Sequence, residues 1–136
     1  MLTEERVNPR VVSVLKQLSE EIPGFLYSAV VDMEMASPVA ELRTKEVDCL
    51  DATKAASLYT DMVKAHLVTV AQLGGEDKVG HTSDMFIATD KFYIVLRPMP
   101  EIMCYQSLLI TRDDNLGQAR FILQKYSETL EEAIRG

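Results

Sequence analysis

DATKAASLYTDMVKAHLVTVAQLGG, residues 51–75, is the stretch on which the architecture turns. Asp51 suits an N-cap and Gly74-Gly75 a stop, so the run between them reads as one long helix reaching about residue 73. At ~1.5 Å per residue such a helix spans roughly 33 Å. Placed at ~100° per position, Ala55, Leu58, Tyr59, Met62, Val63, His66, Val70 and Leu73 form a stripe, which Ala52, Ala56, Leu67 and Ala71 widen on one flank. The polar sector (Lys54, Ser57, Asp61, Lys64 and Gln72) covers only about 80–100°. A helix lying on one sheet needs an apolar arc of about 100° or a little more; this one has about twice that. Either exposed alanines pad the arc, or one flank lies on the chain's own sheet while the other meets a second copy. Leu67 favours the second reading, because a large aliphatic side chain there has no reason to face water.

Working outward, residues 8–22 read as a helix. Asn8 caps it, Pro9 fits its first turn, and Val11, Val14, Leu15, Leu18 and Ile22 recur at helical spacing before Pro23-Gly24. Residues 25–31 are apolar on both alternating faces, as in a central strand covered from both sides. After a turn at 32–37, residues 38–43 form a more polar strand, and Pro38 suits an edge or a strand start. Beyond a polar connection at 44–50 and the long helix, strands are predicted at 81–88, 92–97 and 102–111. Asp113-Asp114-Asn115 then introduces a last helix, with Leu116, Ala119, Ile122, Leu123, Tyr126, Leu130 and Ile134 on one side. The predicted fold class is α/β (α+β), in the order α-β-β-α-β-β-β-α. Its five-stranded, mostly antiparallel sheet carries helices on both faces.

The strand at 81–88 carries Thr82, Ser83 and Asp84, as an edge should, yet no proline or lysine blocks its pairing. An unprotected edge beside an over-wide apolar helix is what a twofold-related copy completes. The expected interface is therefore Tyr59, Met62, Val63, His66, Leu67 and Val70 from the helix, with His81, Thr82, Ser83, Asp84, Met85 and Phe86 from the strand.

The length, 136 residues, predicts a single domain over 1–136. At 47% apolar, the chain can build a core without disulfide or metal staples. A net charge of −7 with scattered Lys and Arg argues against nucleic acid, whose phosphates require a basic stripe. No apolar run reaches the ~18–20 residues of a membrane span, and the charged start, Met1 to Arg6, is no signal core. A cytoplasmic location is expected, with Cys49 and Cys104 as free thiols.

No chemistry assembles from the motifs. His66 and His81 are the only histidines and lack metal-ligand spacing. His66 sits in the apolar stripe, where a hydrogen-bonded core or interface role is commoner than ligation. Gly74, Gly75 and Gly80 follow a helix rather than preceding one, unlike a phosphate loop. Asp113-Asp114-Asn115 fits capping better than a divalent-ion cluster. No nucleophile elbow is present. No cofactor, metal or catalytic residue is nominated, and the chain is read as no enzyme. Met33, Met35, Met99 and Met103, in or beside turns, suit gaps at the core rim or an adaptable binding surface.

With the element order in place, three segments resemble the roadblock/dynein-light-chain family, in its bacterial, MglB-like branch. Residues 84–98, DMFIATDKFYIVLRP, look like that family's central hairpin. GFLYSAVVD at 24–32 resembles its first strand, and NLGQAR at 115–120 the start of its last helix. The resemblance covers about residues 8–135. It implies the middle helix on one sheet face and the terminal helices on the other, and dimers in which middle helices pack and third strands pair. Members of this family serve as light chains, scaffolds and regulators of Ras-like small GTPases. The turn at 33–37 lacks the glycine often found there, and Ser28 stands where glycine is common. No inserted catalytic arginine is nominated.

The leading expectation is a non-enzymatic homodimeric regulatory or scaffolding protein. Its expected partners are a second copy and a Ras-like GTPase or larger protein complex. A small-ligand sensory module of similar architecture is the alternative, and a small hydrolase the third.

Overall fold

The computed structural model describes residues 8–136; the expectation about the charged start at 1–6 lies outside them. Helix α1 (Pro9–Glu20) begins as the sequence implies: the Asn8 side chain accepts from the backbone N–H groups of Arg10 and Val11. Gly24 then brings two distant loops together. Its N–H donates to Asp114 Oδ2 at 2.9 Å, and a Cβ there would sit 2.4 Å from Thr111 Oγ1. Only glycine fits that approach.

Strand β1 (Phe25–Asp32) pairs with β2 (Ser37–Arg43), with a bulge at Val39 of β2, next to Pro38. The connecting turn places Ala36 at φ 51°, in the left-handed region. A single 3₁₀ turn at Lys45–Val47 precedes α2 (Ala52–Gln72), which Asp51 caps by accepting from Lys54 N–H at 3.0 Å. Gly74 and Gly75, both at positive φ, end it, and a one-turn helix that the sequence did not suggest, α3 (Glu76–Val79), follows. Strands β3 (Met85–Ala88), β4 (Phe92–Met99) and β5 (Cys104–Thr111) lead to α4 (Leu116–Arg135), capped by Asn115.

The sheet runs β2-β1-β5-β4-β3, every neighbouring pair antiparallel. Strands β1 and β5 are buried on both faces along almost their whole length, which is why both are apolar at successive positions. On one face Val11, Leu15 and Leu18 of α1 meet Ile122, Leu123 and Leu130 of α4 over Val30, Val95 and Leu108. On the other, Ala56 and Val63 of α2 pack over Tyr27, Ala29, Val31, Tyr105 and Leu109. One long helix thus covers one face and the two terminal helices the other, as expected. Among the described residues, no helix is long and apolar enough to cross a membrane.

Candidate protein-interaction surface

Helix α2 turns the line Ala56, Thr60, Val63 and Val70 onto the sheet, with Leu67 packed against the same cluster. Thr60 enters this core because its hydroxyl donates to the Ala56 carbonyl at 2.6 Å, and Tyr105 Oη reaches the same oxygen at 3.0 Å. A polar residue thereby becomes an inward one at little cost. Of the helix residues expected at an interface, Val63 and Val70 are buried in the subunit itself, and Leu67 is half-buried against the same core.

Outside lie one apolar helical row with its margin and, off that row, the exposed Val68. Leu58 is 58% exposed, Met62 40% and Leu73 63%, with Tyr59 and His66 half-buried beside them. Leu58 and Leu73 were not among the nominated interface residues, although they share a helical row with Met62 and could have been found by that spacing. Burial raises the Tyr59 phenol above its usual range, so the ring stays neutral at ordinary pH.

The expected edge strand is shorter than its sequence suggested. Met85 and Phe86 belong to β3, but His81, Thr82, Ser83 and Asp84 precede it in an irregular segment. Two side-chain ties hold that segment: His66 Nε2 lies 2.9 Å from Thr82 Oγ1, and Arg120 of α4 grips Asp84 through two 2.9 Å hydrogen bonds. Asp84 is only 5% exposed in this pair. His81 is exposed and faces Glu76 at 3.3 Å. Phe86, also exposed, lies under the Arg120 guanidinium at 5.2 Å. It belongs to the α4 face of the sheet, opposite α2, because its partner Val95 packs with α1 and α4.

Strand β3 pairs only with β4, so its outer edge is free among the described residues. On the α2 face, Met85, Ile87, Phe92 and Ile94 are half-buried: α2 approaches the opposite side of the sheet, near β2, and leaves this margin partly uncovered. Between the two, an apolar cavity of about 50 Å³ opens beneath the first half of α2, lined among others by Ala29, Ala55, Ala56, Tyr59, Ile94 and Ser107. Row, margin and edge are contiguous in the fold.

The groups that could have carried chemistry have structural occupations. Asp114 binds the Gly24 N–H, and Asn115 caps α4. Burial pushes the Cys104 thiol up to about 11, which leaves it protonated and inert, while Cys49 is exposed. Among the described residues, no three His, Cys, Asp or Glu side chains converge as metal ligands would.

No protein-family model and no curated protein matches the chain. Solved structures do. MglB of Myxococcus xanthus superposes with a TM-score of 0.80 at 17% identity, over 99% of this chain and 93% of that one. A roadblock/LC7 domain from Streptomyces avermitilis gives 0.74 at 9% identity, over 91% and 97%. An MglB structure with a tetrameric arrangement gives 0.75 at 16% identity, over 98% and 96%.

Proposed function

We propose that this chain, which carries the roadblock fold, works as a homodimeric, non-catalytic docking platform in the cytoplasm, serving a Ras-like small GTPase. The observation that carries the reading is the contiguity of the exposed α2 row, the partly uncovered sheet margin and the β3 edge left unpaired among the described residues. A twofold axis beside β3 brings each surface against its own copy. The two β3 edges exchange backbone hydrogen bonds, and each α2 lies over the margin that the other leaves open. The same contact removes Leu58 and Met62 from water. The tetrameric arrangement of an MglB of this fold supports self-association as a habit of the architecture. Partner choice rests on the family resemblance of the hairpin at 84–98 and the helix start at 115–120.

Light scattering at ~100 μM tests the assembly, since interfaces of ordinary size hold at micromolar concentrations or below. The wild type is expected to be a dimer. Leu58→Asp is expected to be a monomer with unchanged helix content, because Leu58 contributes nothing to the subunit core. A wild-type monomer at that concentration overturns the reading. The GTPase role is tested by calorimetry against a co-encoded Ras-like GTPase in its GDP-bound and GTP-analogue-bound forms. Binding that depends on the nucleotide is expected; no binding to either form removes this part. The competing sensory reading has less support: the apolar cavity beneath α2 holds only about 50 Å³, and the roomier hollows, of about 240 and 470 Å³, are wider open to solvent and rimmed by charged side chains such as Arg97, Glu131, Glu20 and Arg43.

A further inference from the structure

The cavity beneath α2 is unusual for where it lies. Its floor is Ala29 and Ser107, small residues in the two most buried strands, and its roof is Ala56. Larger side chains at any of these would close it. Its half-exposed walls are Leu50, Ala55, Tyr59 and Ile94, and Ile94 is shared with the margin that α2 leaves partly uncovered. A packed interior leaves few such voids, since lining atoms without neighbours lose their dispersion contacts. The lining is too apolar to hold an ordered water well. At about 50 Å³ the space suits the tip of one aliphatic or thioether side chain.

We propose that this cavity is a socket, filled in the assembled protein by an apolar side chain from the α2 row of a second copy. The claim rests on the dimer reading above and adds to it which part of each subunit is completed by the other. Two features favour a second copy over another occupant. Ala55 and Tyr59 flank the same helical row that the dimer reading buries, so mouth and interface are continuous. That row also presents side chains of the required kind: Leu58 and Met62 are unbranched at Cβ, exposed, and uncommitted to their own core. Twofold symmetry then yields two identical sockets, each subunit giving one side chain and receiving one.

Filling the socket from within tests this. Ala55→Leu adds volume at the mouth at little cost in helix propensity, and Ser107→Val adds it at the floor of a strand that favours β-branching. Each variant is expected to keep its far-UV spectrum and to weaken the dimer roughly tenfold or more, because the incoming side chain no longer fits. Isotope-filtered NMR on a mixed dimer of ¹³C-methyl-labelled and unlabelled wild type reads the contact directly. Cross-subunit signals from the Ala55 and Ile94 methyl groups to Leu58 or Met62 are expected. A wild-type dimer without those signals, or filled variants that dimerise as tightly as wild type, overturns the socket and leaves the dimer standing. In the first case the cavity falls to a small apolar molecule or stays empty. A wild type that is monomeric overturns both.

Discussion

Leu67 and Ala36 show how far single positions follow from their neighbours in the chain. Leu67 lies on α2 where an apolar residue could serve either flank, and the structure turns it onto Val63, Leu109 and their cluster. Leu67→Asp is therefore expected to unfold the subunit rather than merely separate it, with a loss of roughly 3 kcal/mol or more in urea denaturation, since a carboxylate would replace a core contact. Retained stability with loss of the dimer would return Leu67 to the interface. Ala36 holds φ 51° in the β1–β2 turn, where the sequence lacks the expected glycine. An L-residue with a Cβ is strained there by about 1 kcal/mol. Ala36→Gly is expected to raise the unfolding midpoint by a corresponding amount, and an unchanged or lower midpoint refutes the strain.

At the scale of elements, the join between the β3 approach and α4 depends on one ion pair. Asp84 is 5% exposed while Arg120 is 41% exposed, so the carboxylate is the member that cannot be left alone. Its two hydrogen bonds also raise the Arg120 guanidinium, a sign of the same attraction. Arg120→Ala is expected to cost about 1 kcal/mol, since Asp84 loses two hydrogen bonds but keeps the attraction of Arg97, and to speed amide exchange along β3 more than along β1. Uniform exchange across the sheet would show that the pair does not anchor the edge. This tie spans 36 residues of chain, and the His66–Thr82 contact spans 16. Neither is visible in a local reading, which is why residues 81–84 looked like strand. Caps were legible for the opposite reason: Asn8, Asp51 and Asn115 each bind backbone two or three residues away.

Under the proposed dimer, association buries the exposed α2 row and the β3 edge that is free among the described residues, so their burial depends on concentration. Association adds stability by mass action, so the thermal midpoint of the wild type is expected to rise as protein concentration rises. Each tenfold step contributes about 1.4 kcal/mol per dimer. Leu58→Asp should show a midpoint independent of concentration. Equal slopes for the two proteins would disprove a stabilising contact through this row.

The chain order alone determined the order of the five strands and three main helices, the antiparallel sheet with both faces covered, and the presence of more apolar surface on α2 than one sheet can use. These follow from local periodicity and from strands apolar on alternate positions, which act over a few residues. Tertiary structure decided which line of α2 faces inward and where β3 begins. A helix with so broad an apolar arc does not specify its own rotation; Thr60, bonded to the Ala56 carbonyl and placed against Tyr105, sets it from within the core.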